Sequence, residues 1–162
     1  MRAFLFSAMC LLLTPNGQAE DWPMFKRDIS RSGISPETLE FPLHAAWSHT
    51  PEAPPTRAWP GTKKRNISAG AEGLTSTQDY DKAYHAIAAG GLVYYGSSTT
   101  DAITCISRNG HPRWTFFTEG PVRLAPVYAD GRIYAGSDDG YVYCLDAQTG
   151  SLLWKHLVGP SD

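Results

Sequence analysis

Five histidines, three cysteines and one pair of adjacent aspartates are the side chains of this 162-residue chain best suited to chemistry. His44, His49, His85, His111 and His156 do not fall at metal-ligand spacing. His44 and His49 are five positions apart in a predicted strand, an odd separation that puts them on opposite faces. The loop Gly136-Ser137-Asp138-Asp139-Gly140 offers two carboxylates to a calcium ion, yet lacks the alternating ligands and distal glutamate of an EF-hand. Its composition predicts a solvated hairpin turn. Cys105 and Cys144 have no histidine neighbour in sequence, so neither a catalytic thiol nor a zinc site is indicated. No catalytic residue and no metal ligand is assigned, and no cofactor-binding residue stands out. The formal net charge of −2 and the scattered basic residues, densest at Lys63-Lys64-Arg65, argue against nucleic acid as a partner.

The elements that carry these residues are short strands. Arg132–Ser137, Tyr141–Asp146 and Ser151–His156 are rich in β-branched and aromatic residues. Each is bounded by turn chemistry: Asp130-Gly131, Asp138-Asp139-Gly140 and Ala147-Gln148-Thr149-Gly150. Val122–Tyr128 precedes them as a fourth strand; Pro126 within it fits an innermost strand with one free edge facing a channel. The unit occurs twice. Gly91 to Gly131, Gly96 to Gly136, Gly110 to Gly150 and Trp114 to Trp154 are each 40 positions apart, and Ile103–Ile106 aligns with Val142–Leu145. In the first copy Lys82–Ala89, Leu92–Ser97 and Arg113–Thr118 supply the other strands. Four antiparallel strands per repeat of this length predict an all-β fold, a β-propeller with blades at residues 81–120 and 121–158.

The stretch from Cys144 to Trp154, CLDAQTGSLLW, resembles the repeat of PQQ-like, or quinoprotein-type, β-propellers. That consensus runs alanine, leucine, aspartate, two free positions, threonine, glycine, lysine, two apolar residues and tryptophan. The resemblance implies that Gly110 and Gly150 permit the turn between the last two strands and that Trp114 and Trp154 wedge between blades. Gly96, Gly136 and Asp146 complete the repeat motif. Cysteine replaces the consensus alanine at Cys105 and Cys144, and the first copy has Ser107 and Arg108-Asn109 where the aspartate and threonine belong. Cys105 and Cys144 sit at equivalent places on adjacent blades, too far apart for a bridge, which predicts two buried free thiols with a disulfide as the alternative.

Residues 1–19 read as a signal peptide. Arg2 is the positive start, Ala3–Leu13 is apolar apart from Ser7, and Gly17-Gln18-Ala19 predicts cleavage after Ala19. The apolar run is too short to span a bilayer, so the mature chain is expected to be exported, periplasmic or extracellular, with no transmembrane segment. Residues 20–42 form an irregular lead-in similar to that before the first blade of secreted PQQ-like propellers, in which Trp22 and Phe25 cover a rim or plug the channel. Residues 43–50 match the fourth strand of a blade around Trp47 and predict a strand that closes the ring. Residues 51–80 are a Pro-, Gly-, Ser- and Thr-rich connection carrying the sequon Asn66-Ile67-Ser68, and residues 159–162 begin a missing blade. Two blades do not close a ring, which predicts a fragment of a longer propeller, marginal in isolation, with assembly of several copies into one ring as the alternative.

On the resemblance, the expected function is a binding or scaffold module for a protein partner or small ligand at the propeller face, with no cofactor. The alternative is the amino-terminal piece of a PQQ-dependent dehydrogenase, an oxidoreductase requiring PQQ and calcium. The adjacent cysteines found in those dehydrogenases have no match in this chain.

Overall fold

The computed structural model describes residues 19–56 and 83–159. Residues 1–18 of the predicted signal peptide, Lys63-Lys64-Arg65, the Asn66 sequon and most of the proline-rich connection lie outside the described residues.

Eight strands are present: β1 (Ala86–Ala89), β2 (Leu92–Ser97), β3 (Ala102–Ser107), β4 (Pro112–Phe117), β5 (Val127–Ala129), β6 (Arg132–Gly136), β7 (Tyr141–Asp146) and β8 (Leu152–Leu157). They form two four-stranded sheets, β1-β2-β3-β4 and β5-β6-β7-β8, in which every adjacent pair is antiparallel. This is a partial β-propeller of two blades, and no helix occurs among the described residues.

Turn residues determine where the chain reverses. Gly90 and Gly91 have φ of 59° and 74°, and Asp130 and Gly131 have 49° and 74°. Two successive positive φ values match the twist of a two-residue hairpin, so both first hairpins are tight. The two sheets also share an irregularity: the pairing shifts between Cys105 and Ile106 in the first and between Cys144 and Leu145 in the second. Such a shift adds local twist, and its recurrence makes the blades copies in shape as well as in sequence.

The inner strands are shorter than expected. β5 begins at Val127 rather than Val122, and β1 begins at Ala86, with Ala83–His85 outside it and Lys82 outside the described residues. Pro121 and Pro126 have no N–H to give a ladder. Val122 and Pro126 are instead fully buried while Leu124 between them is exposed, so the stretch before β5 packs through these two side chains without pairing as a strand.

One apolar cluster joins the blades. Tyr94, Ile103 and Cys105 come from the first, Ile133, Tyr143 and Leu145 from the second, and Val122 from the crossing between them. Burying each large side chain fully contributes about 1.5–3 kcal/mol. Burial along the strands shows how many faces are covered: β2 and β3 are buried almost throughout, whereas β6 alternates. Alternation means one covered face, and continuous burial means two. The first blade is thus sandwiched between the second blade and the segment around Trp47–Thr56, while every residue of β8 is exposed.

Candidate functional site

The repeat's chemistry is concentrated in the seam between blades. Trp114 on β4 lies flat on Gly150 in the β7–β8 turn, where an added Cβ would stand 2.6 Å from the ring. Its indole N–H donates to the Ala147 carbonyl at 3.1 Å, and the Tyr94 hydroxyl donates to the same oxygen at 3.2 Å. Burial pushes the Tyr94 hydroxyl well above the ordinary tyrosine range, keeping it a neutral donor. Tyr94 also stacks on Tyr128, and Phe116 meets Tyr143 edge-on at 5.6 Å. Further along, a Cβ on Gly96 would come within 2.3 Å of Val122, so glycine there admits the incoming crossing.

Asp146 explains the aspartate-to-threonine spacing of the motif. Its Oδ1 accepts the backbone N–H groups of Gln148 at 3.0 Å and Thr149 at 2.8 Å, and the Thr149 hydroxyl at 2.9 Å. The Thr149 backbone N–H, followed by its hydroxyl, holds the carboxyl below its usual range. This braces the turn that presents Gly150, at φ 73°, to the tryptophan.

The same seat occurs a second time. Trp47 lies on Gly110, 3.0 Å from where a Cβ would be, and its indole N–H donates to the Arg108 carbonyl at 2.7 Å. Leu43–Thr50, expected as a closure strand with its partners in a blade this sequence does not contain, forms no ladder among the described residues, and Trp47 fills the seat from outside both sheets. Beside it, Trp47, His49, Tyr84 and Tyr95 line a cleft of about 300 Å³, with His49 Nε2 3.2 Å from the Tyr95 hydroxyl.

On the other side of the molecule the seat is open. Trp154 is 43% exposed, Leu152, Leu153 and Val158 are exposed with it, and Gly136 meets no atom within 4 Å of an added Cβ. Gly96, Gly110, Trp114 and Gly150 are therefore engaged in seams, whereas Gly136 and Trp154 lie on the uncovered face.

The acidic loop is more than a solvated turn. Asp139 Oδ2 accepts the Tyr143 hydroxyl at 2.6 Å and the Glu119 N–H at 3.0 Å, and Oδ1 accepts the Tyr141 N–H at 2.9 Å. Partial burial raises its pKa, but the Tyr143 hydroxyl and the two N–H groups outweigh this and hold the carboxyl low. Asp138 pairs with Arg123 at 2.5 Å, and Lys155 with Glu119 at 2.9 Å while its ammonium sits 4.5 Å from the centre of the Tyr141 ring. The loop fastens the crossing Glu119-Gly120-Pro121 to the second blade. Sequence reading missed this because Glu119 is 20 residues from Asp139, and the first copy has no counterpart.

Residues 46–162 match the family model described as outer membrane protein assembly factor BamB, well over half of the chain. The chain belongs to the BamB family. Among solved structures, a quinohemoprotein alcohol dehydrogenase from Comamonas testosteroni is 18% identical at a TM-score of 0.57, covering 85% of this chain and 19% of that one. A europium-containing methanol dehydrogenase is 16% identical at a TM-score of 0.49, covering 86% of this chain and 23% of the other. BamB from Moraxella catarrhalis is 14% identical at 0.39, covering 42% and 21%. The first likeness shows a shared PQQ-type propeller fold. This chain spans about a fifth of the length of these structures. No curated protein is similar enough to this chain to count as a match.

In this BamB-family chain the two cysteines among the described residues, Cys105 and Cys144, are buried free thiols. Burial pushes the Cys105 thiol up to about 11, the opposite of what a reactive cysteine needs. Asp138 and Asp139 are already paired, and no three His, Cys, Asp or Glu side chains are grouped to hold a metal among the described residues.

The lead-in of this BamB-family chain runs along the inner edges of both blades. Trp22 exchanges two backbone hydrogen bonds with Ala88 on β1, and the Pro23 carbonyl accepts the Tyr128 N–H of β5 at 2.8 Å. Phe25 is 47% exposed and meets His85 edge-on.

Proposed function

We propose that this protein is an exported binding or scaffold propeller, whose face receives a protein partner. The observation that carries this reading is the match of residues 46–162 to the family described as an outer membrane protein assembly factor. The motif and loop carboxylates Asp146 and Asp139 turn inward onto backbone donors and are not left for a ligand. Trp154, Leu152, Leu153 and Val158 lie on the seam against which a further blade would pack. Export is supported by the leader-like pattern of residues 1–19, and no helix among the described residues is long and apolar enough to cross a membrane. The reading needs no cofactor.

A second reading, the amino-terminal piece of a PQQ-dependent dehydrogenase, is favoured by the likeness to the Comamonas testosteroni enzyme across 85% of the chain. One experiment separates the two. The complete protein is titrated with PQQ and calcium and followed for a cofactor absorbance and for dye-linked alcohol oxidation. The scaffold reading expects neither, and cross-linking in the cell envelope should then give a discrete protein adduct. Both signals together would reverse the ranking.

A further inference from the structure

The junction between the leader and the lead-in is built for a new chain end. Lead-in residues are anchored from Asp21 onward: its carboxylate accepts the Gly90 N–H at 3.1 and 3.2 Å, and Trp22 pairs with Ala88. Ala19 and Glu20 are exposed just ahead of this anchor. The Glu20 backbone N–H donates to the Glu37 carboxylate, and the Glu20 carboxylate is itself held by Arg27. Glu37 is placed by its own N–H, which donates to the Ser35 hydroxyl at 3.1 Å.

We propose that cleavage after Ala19 creates an ion-pair site, in which the freed α-ammonium of Glu20 binds the Glu37 carboxylate and latches the lead-in closed. This rests on the reading of the chain as exported. A leader peptidase adds water across the Ala19–Glu20 bond; the C–N bond breaks, Ala19 leaves as a carboxylate, and the Glu20 nitrogen takes up protons to become an ammonium. A neutral amide with one donor becomes a cation with three, placed against a carboxylate that already faces it. No spare residue separates the new end from the anchor, so the charge arrives at Glu37.

The groups around that nitrogen have opposing effects. Glu37 and the carboxylates of Glu20 and Asp21 favour the ammonium. Arg27, with Asp28 at 3.7 Å from it, and the guanidinium groups of Arg108 and Arg113 lining the same depression disfavour it. The raised α-amine pKa contributes stability present below the ordinary value of about 8 and lost as pH rises through the raised one.

The test uses the full exported chain. Intact mass establishes its first residue, and NMR of the isotopically methylated α-amine gives its titration. The expected result is a chain beginning at Glu20 whose α-amine pKa falls by about 0.2–0.7 pKa units in Glu37→Gln, the size a surface pair produces. A version with one added alanine ahead of Glu20 should lose that response. A chain that begins elsewhere overturns the processing step. One that begins at Glu20 but titrates identically with and without Glu37 overturns the latch and leaves export standing.

Discussion

The Trp114 ring lies directly on the backbone of Gly150, with no room between them for a methyl group. Gly131 has nearly the same φ, 74° against 73°, but nothing within 4 Å of an added Cβ. The pair separates backbone strain from crowding. Gly131→Ala should cost about 1 kcal/mol, the penalty of a left-handed L-residue. Gly150→Ala should cost a further 1–3 kcal/mol or so, because the indole must leave its seat. Denaturant midpoints of the two variants check this, and equal losses would mean that the ring contact is not part of what holds the blades together.

Gly96 and Gly136 occupy the same place in their repeats and should respond in opposite directions. An added methyl at Gly96 meets Val122 at 2.3 Å, but at Gly136 it meets nothing. Gly96→Ala is expected to destabilise by about 1–3 kcal/mol. Gly136→Ala should be neutral or stabilising by up to about 1 kcal/mol, since alanine lowers the entropy of the unfolded strand. Thermal melts of both variants decide it. A destabilising Gly136→Ala would show that another body sits against that face in the protein under test.

Cys105 links stability to alkaline pH. Its thiol is pushed from the ordinary 9.0 up to about 11, chiefly by burial, partly offset by Arg113. Above about 9 the unfolded chain loses this proton while the folded chain keeps it, so the folded state binds more protons and stability falls as pH rises towards 11. Unfolding free energies between pH 8 and 11 should show this decline, and Cys105→Ala should make it shallower. The thiol should also resist alkylating reagents at pH 8 until the protein unfolds.

Much of this architecture was legible in the residues because it is written locally. The positive-φ pairs Gly90-Gly91 and Asp130-Gly131, the Asp146-to-Thr149 brace and the 40-residue spacing of Gly110, Trp114, Gly150 and Trp154 each depend on neighbours in sequence. What was not legible depends on distant partners or on missing donors. Val122–Pro126 has a strand's composition, yet Pro126 has no N–H for a ladder, and Val122 and Pro126 are buried while Leu124 stays exposed. Trp47 aligns with Trp154 in sequence, but its seat on Gly110 and its hydrogen bond to the Arg108 carbonyl depend on a loop 61 residues away. The composition around Asp139 predicts only a solvated turn, because its partners Glu119 and Tyr143 are brought to it by the crossing and the sheet.

Asp139 therefore offers the sharpest test of the crossing's attachment. Asparagine keeps the shape of the side chain but removes the charge and one acceptor from a group that takes three hydrogen bonds. Hydrogen bonds to a charged group contribute about 1.5–3 kcal/mol each, and partial exposure puts the expected loss for Asp139→Asn near the lower end. The native carboxyl titrates below the ordinary 3.8, despite the burial that opposes this, because the Tyr143 hydroxyl and the Tyr141 and Glu119 N–H groups favour the charged form. Its contribution is accordingly full above about 4 and disappears as pH falls through the lowered pKa, since the unfolded chain binds the proton first. Asp139→Asn should thus lose stability at pH 7 and show a flatter acid limb below pH 4. Tyr143→Phe, which keeps the ring against Phe116, should weaken the same limb, and the double variant should lose less than the two single losses combined. Strict additivity between the two positions would mean that the short Tyr143–Asp139 contact does not bind the loop to its sheet.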